Sequence, residues 1–176
     1  ELPLEEYLYS VVPSEMPSSY PLEALKAQAV TARTYTYYHM KDYAYPQWKA
    51  HVDDSTLFQV YNNTGEHLET TKSVRETKGE LLCYGEELAR TYYYSTSCGY
   101  GSDENVWAVG EEDQYPYLTA KAISENKDRA DADFKNDAFA EFIKNVDETD
   151  YENEEPWYRW QYSTENLKTE SVLSRL

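Results

Sequence analysis

One carboxylate in this chain stands in a setting that chemistry can use. Glu15 lies in Val11-Val12-Pro13-Ser14-Glu15-Met16-Pro17, between two prolines and beside apolar side chains, just ahead of a long Ala-rich segment. Prolines stiffen the backbone, and apolar neighbours disfavour the charged form of a carboxyl by withholding water. A carboxyl that keeps its proton at neutral pH is what a general acid requires. Two further groups have matching character. Arg33 sits among Ala29, Val30, Ala32 and Tyr37, where a guanidinium either snorkels to solvent or is buried and paired. On the second alternative it faces a groove next to Glu15. Ser95-Thr96-Ser97-Cys98-Gly99-Tyr100-Gly101 is either a hydroxyl-rich surface for a polar ligand or a plain turn that needs glycine.

The elements that must position these residues follow from pattern. Leu2 to Tyr9 reads as a short helix, with Leu4 and Leu8 on one face, which stops at Pro13 and leaves Glu15 in a turn between helices. Ser18-Ser19 are cap candidates for a second helix, with Pro21 in its first turn and Ala-rich sequence running from Leu22 towards His39. Phe58 to Tyr61 has strand composition, residues 67 to 77 read as a surface helix closed by Gly79, and residues 80 to 95 as a hairpin. The second arm of that hairpin alternates Leu88, Arg90, Tyr92 and Tyr94 with Ala89, Thr91 and Tyr93. Asp137 to Lys144 reads as an amphipathic helix, Trp157 to Tyr162 as a strand, and Ser163-Thr164-Glu165 as the cap of a last helix. The expected fold is α+β: a single domain over residues 1–176, with an Ala-rich central helix and short helices packed on a small, mainly antiparallel sheet. Its groove is expected at the helix-turn and the Ser-rich loop.

Composition narrows the partners. Lys and Arg number 16 against 33 Asp and Glu, a formal net charge of −17, so the basic footprint required for nucleic acid is missing. The 19 tyrosines and 4 tryptophans greatly exceed the 4 phenylalanines. Such rings stack on sugars while their polar ends hydrogen-bond, or they simply pack half-buried under a polar surface. Cys83 and Cys98 are compatible with one bridge or with free thiols. The sequence holds no apolar run of about 20 residues, and a signal or anchor outside residues 1–176 is expected.

The order of motifs resembles the stage II sporulation protein D and amidase enhancer LytB family. The resemblance rests on Leu-Pro-Leu-Glu-Glu-Tyr-Leu, then Val-Val-Pro-Ser-Glu-Met-Pro, then Glu-Ala-Leu-Lys-Ala-Gln-Ala-Val-Thr-Ala-Arg-Thr-Tyr. Asp54-Ser55-Thr56, Gln59-Val60-Tyr61, Ser95-Thr96-Ser97, Glu104-Asn105-Val106-Trp107, Pro116-Tyr117-Leu118 and Trp157-Tyr158-Arg159-Trp160 follow in family order. It implies a peptidoglycan lytic transglycosylase acting on glycan strands stripped of stem peptides, with Glu15 catalytic. Arg33 and Gln28 are then orienting residues, Gln59, Ser95, Thr96 and Ser97 hold hydroxyls or N-acetyl groups, and Tyr92 and Tyr94 stack on rings.

Some members bind zinc through cysteines in the stretch that here reads His51 to Gln59. No thiol stands there, so neither metal nor cofactor is expected. Where the family has His before the Ser-rich loop this chain has Tyr94. The resemblance also implies an extracytoplasmic location, at the cell surface or the forespore-engulfing membrane, and a cell-wall amidase as partner. A non-catalytic wall-binding module that enhances such an amidase is the alternative reading. A glycoside hydrolase generally needs two carboxylates, whereas a lytic transglycosylase manages with one because the sugar's own 6-hydroxyl replaces water.

Overall fold

The computed structural model describes residues 2–55, 57–62, 65–103, 115–132, 134 and 137–161. The chain divides into two compact units, one ending at Tyr93 and one beginning at Tyr94. The first contains α1 (Leu4–Glu15), α2 (Leu22–His39), a 3-10 turn at Pro46–Trp48, α3 (Leu68–Glu76), β1 (Cys83–Tyr84) and β2 (Glu87–Leu88). The second contains α4 (Lys127–Ala130) and α5 (Asp137–Lys144). The expected helices at residues 67–77 and 137–144 are therefore present, the former followed by Gly79 in the left-handed region at φ 77°. No helix among the described residues is long and apolar enough to cross a membrane. Glu104 to Trp107 and the expected final helix lie outside the described residues.

The core of the first unit is helix on helix. Leu8, Val11 and Val12 of α1 fall at the i, i+3, i+4 spacing that makes one face. They meet Ala29 and Ala32 of α2 and Val74 of α3, all fully buried, with Leu4, Tyr7, Tyr9 and Tyr61 packed around them. The alanines on α2 keep that helix slim where two neighbours approach it. The sheet among the described residues is the two-stranded antiparallel hairpin, Cys83 opposite Leu88 and Tyr84 opposite Glu87. The molecule is thus α+β, but the helices of its first unit cover one another rather than a sheet. Phe58 to Tyr61, residues 89 to 94 and the described part of the expected strand at 157–162 form no ladder.

The start of the chain differs from expectation in an instructive way. α1 does not stop before Pro13 but runs through it to Glu15. Proline in a helix forfeits its own N–H bond, here the donor that would reach the Tyr9 carbonyl, yet the ladder resumes with Met16 N–H donating to Val12 O at 3.0 Å. Ser14 Oγ also donates back to Ser10 O at 2.6 Å. What ends the helix is Pro17: the residue before a proline is driven out of the helical region, and Met16 is extended at φ −138°, ψ 132°. α2 then opens on Pro21 as its N-cap with no side-chain cap, so Ser18 and Ser19 do not serve as expected.

The second unit is organised around Asp150, which is fully buried. Arg129 grips it at 2.6 Å (Nε to Oδ1) and 2.9 Å (Nη2 to Oδ2), and the Tyr158 phenol donates to its second oxygen. The Arg129 guanidinium lies 4.4 Å from the Phe142 ring centre, so the fork is both paired and stacked. Gly99, at φ 80°, passes so close that a Cβ there would stand 2.6 Å from Tyr158 Cε2.

Candidate active site

Glu15 is the last residue of α1, half-buried, with Oε1 accepting the Val60 backbone N–H at 2.7 Å. Three parts of the chain therefore meet at this carboxylate: the end of α1, the Gln59–Val60 segment, and Tyr93 downstream of β2. The Tyr93 phenol hydrogen-bonds both Gln59 and Glu15, and burial together with the Glu15 charge pushes its pKa far up. Gln59 Nε2 donates to Tyr93 Oη at 3.1 Å, which leaves the phenolic proton to point at the Glu15 carboxylate. Gln59 itself is held: Nε2 also donates to Ala32 O at 3.2 Å, and Oε1 accepts from Thr36 at 2.6 Å. A fully buried amide thus fixes the donor that faces Glu15.

Tyr7 forms another side of the site. Its ring stacks on Tyr61, centroids 5.6 Å apart and planes at 8°. Its hydroxyl is buried without a hydrogen-bond partner. Burial, and next the Glu15 charge, raise this phenol well above its ordinary value, so it stays protonated. Two protonated phenols, Tyr7 and Tyr93, therefore accompany the carboxylate, both able to donate.

A second carboxylate acts on Tyr7 from further off, that of Asp53, but it is engaged in its own turn. Oδ1 accepts the Ser55 N–H at 2.8 Å and Ser55 Oγ at 2.6 Å, and Oδ2 accepts Tyr45 Oη at 2.5 Å. Those bonds, first from the Ser55 hydroxyl and then from Tyr45, hold Asp53 below the ordinary carboxylate value. It is an anion committed to structure.

Arg33 is the main relocation. It is buried and paired, as one sequence alternative required, but with Glu5 rather than beside Glu15. Nε to Oε1 is 2.8 Å and Nη2 to Oε2 2.9 Å, a bidentate pair. Nη2 also donates to Val74 O at 3.1 Å and Nη1 to Glu80 O at 3.4 Å. The side chain is only 1% exposed, so it ties α1, α2 and the end of α3 together. Gln28 is also inside, its Nε2 buried and without a partner. Gln59 carries Tyr93 rather than presenting its amide to a groove. Tyr92 is exposed beside Tyr35, Tyr38, His39 and Arg90 around a small depression.

Tyr94, Ser95, Thr96 and Ser97 belong to the second unit. Tyr94 is exposed there, and Ser95 and Thr96 hydroxyls lie 3.4 Å apart. Ser97 is engaged, its N–H donating to Glu152 at 2.9 Å and its hydroxyl to the same oxygen. Both cysteines are free thiols.

Sequence reasoning missed Tyr7, Tyr93 and the Val60 amide. For Tyr93 a signal existed: it shares the alternating face with Ala89 and Thr91, both of which are buried while Tyr92 and Tyr94 are exposed. For Tyr7, placement one turn before the Val11-Val12 pair gave the same indication.

The comparisons with known proteins bear on the segment that builds this site. Residues 1–84 match the SpoIID family profile, described as stage II sporulation protein. The chain is 41% identical over 115 residues to the amidase enhancer of Bacillus subtilis strain 168, covering 65% of this chain and 15% of that protein. It is 36% identical over 149 residues to stage II sporulation protein D of the same strain, covering 76% and 42%. The stage II sporulation protein D of Bacillus amyloliquefaciens is 35% identical over 132 residues, covering 66% and 37%. The matched region thus spans less than half the length of each of these relatives. Residues 1–84, which hold α1, α2, α3 and Glu15, are thus the part of the chain that is similar to the SpoIID family.

Proposed function

We propose that this chain is a peptidoglycan lytic transglycosylase, with Glu15 as its single general acid and base. The observation that carries the reading is the setting of Glu15: a half-buried carboxyl at a helix end, held in place by the Val60 N–H and the Tyr93 phenol, two donors that stabilise the carboxylate left once its proton is given up. Asp53, engaged with Ser55 and Tyr45, is not available as a second catalytic carboxylate. Intramolecular closure is then the economical chemistry. Glu15 gives its proton to the glycosidic oxygen as the C1–O bond breaks. The carboxylate so formed accepts the proton of the sugar's 6-hydroxyl, whose oxygen bonds C1, and a 1,6-anhydro end results with Glu15 protonated again. Tyr93, protonated, steadies the carboxylate while it carries charge. The names of the relatives, a sporulation protein and an amidase enhancer, support a wall substrate and an extracytoplasmic setting.

The name amidase enhancer also favours a second reading, a module that binds glycan without cleaving it and assists a partner amidase. One experiment separates the two. Denuded glycan strands are incubated with the wild type and with Glu15→Gln, and 1,6-anhydro ends are sought by mass spectrometry. Anhydro ends from the wild type alone are expected. Equal release by both proteins would remove Glu15 from the chemistry, and binding by both without products would give the site to the second reading.

A further inference from the structure

An open groove of about 650 Å³ in the first unit is walled by Tyr7, Met40, Tyr43, Trp48, Lys49 and His51. Trp48 is 74% exposed and Tyr43 46%, so two large rings of this groove are open to a ligand. The segment presenting them is braced. Tyr45 and Ala50 exchange backbone bonds of 2.9 and 3.2 Å, Lys49 N–H donates to Pro46 O at 3.2 Å, and Tyr45 Oη is fixed on Asp53. Tyr43 and His51 rings lie 4.5 Å apart. Within this turn Lys49 is the one non-glycine at positive φ, 52°, among the described residues. A strained residue is kept only where its surroundings fix it, and such residues gather at ligand clamps. The strain here sets the course of the chain just past the exposed Trp48.

Among the residues that line the groove is Tyr7, whose phenol also feels the Glu15 charge. The groove and the candidate site therefore share one side chain. Exposed, pre-positioned aromatic faces suit the apolar faces of pyranose rings. In a chain of net charge −17, an exposed lysine beside those rings suits an anionic sugar substituent.

We propose that this groove is a saccharide subsite in which an amino-sugar ring stacks on Trp48 and Lys49 pairs with a carboxylate carried by the sugar. The inference rests on the glycan-strand reading above and adds the place where the strand is held. A denuded strand, with a lactyl carboxylate on every second sugar, has both features. A peptide-bearing or purely neutral chain lacks one of them.

The test is calorimetric binding to the Glu15→Gln protein, which prevents turnover, with a denuded GlcNAc–MurNAc tetrasaccharide and uncharged chitotetraose as probes. Trp48→Ala is expected to weaken both probes tenfold or more. Lys49→Gln, which keeps the backbone demand at that position, is expected to weaken the tetrasaccharide severalfold and leave chitotetraose unchanged. Circular dichroism checks that both variants fold, and Trp48→Phe should recover part of the loss. Unchanged affinity for both probes in Trp48→Ala would sink the subsite even if Glu15 proved catalytic. A tenfold loss in Trp48→Ala would sustain it even if no anhydro product were ever found. Binding only by stem-peptide fragments, and not by either sugar, would assign the groove to a polypeptide and overturn the proposal.

Discussion

Two phenols and a carboxylate make a site whose parts can be removed one atom at a time. Tyr93→Phe deletes the hydroxyl that joins Gln59 to Glu15 and leaves the ring. A hydrogen bond to a charged group is worth about 1.5–3 kcal/mol, so turnover should fall by about tenfold to a hundredfold, read from the rate of anhydro-end formation. An unchanged rate would mean that Glu15 is held by Val60 alone. Tyr7→Phe behaves differently, because the hydroxyl it removes is buried and unpartnered. Relieving that polar atom of its desolvation should raise stability by about 1 kcal/mol, measured by urea unfolding. Both phenols are held protonated by burial and by Glu15. Their difference absorbance at 295 nm should therefore appear only at pH well above 10, and a tyrosinate signal from either near pH 8 would contradict this.

At the scale of elements, Arg33 and Glu5 are the pair to break. Glu5→Ala leaves a guanidinium that is 1% exposed facing only carbonyls and a threonine, and unpairing a buried ion typically costs about 3–5 kcal/mol. The expected result is a large loss of stability in the first unit, seen in the exchange protection of amides in α1 and α3. A loss of turnover at unchanged stability would instead return Arg33 to the chemistry. In the second unit, burial acts to raise the Asp150 pKa, but Arg129 and Tyr158 outweigh it and hold the carboxyl below its ordinary 3.8. Because the folded value is the lower one, this stabilisation is complete above about pH 4 and disappears as pH falls through the folded value. The melting temperature should be flat from pH 7 to 5 and drop below pH 4, with Asp150→Asn flattening the drop.

Much of this was readable from the chain. Helices announced themselves where a long periodic face existed, as in Leu22 to His39 and Asp137 to Lys144. Pro13 was misleading because only one donor is lost near a helix end, and Pro17 supplied the real stop. The strand expected at Phe58 to Tyr61 failed because its rings pack on helices, Phe58 on His39 and Tyr61 on Tyr7, not across a ladder. Arg33 was misplaced because its partner, Glu5, is one of many surface-looking acids, and only the packing of α1 on α2 selects it.

For the molecule as a whole, charge governs approach and shape governs capture. A net charge of −17 is repelled by anionic wall polymers over about 30 Å at 0.01 M salt but only about 8 Å at 0.15 M. Cosedimentation with sacculi carrying such polymers should therefore rise across that range, and a fall would reveal an attractive face. The Glu5–Arg33 clasp has one further consequence. Glu5 and Glu15 are on the same helix, so whatever fixes the rotation of the first aims the second. An α-helix turns about 100° and advances about 1.5 Å per residue. One residue inserted between them would leave the clasp closed and swing Glu15 about a quarter turn away from Val60 and Tyr93. The clasp acts as an index pin, and the number of residues from Glu5 to Glu15 becomes a dimension of the site, as much as any distance within it.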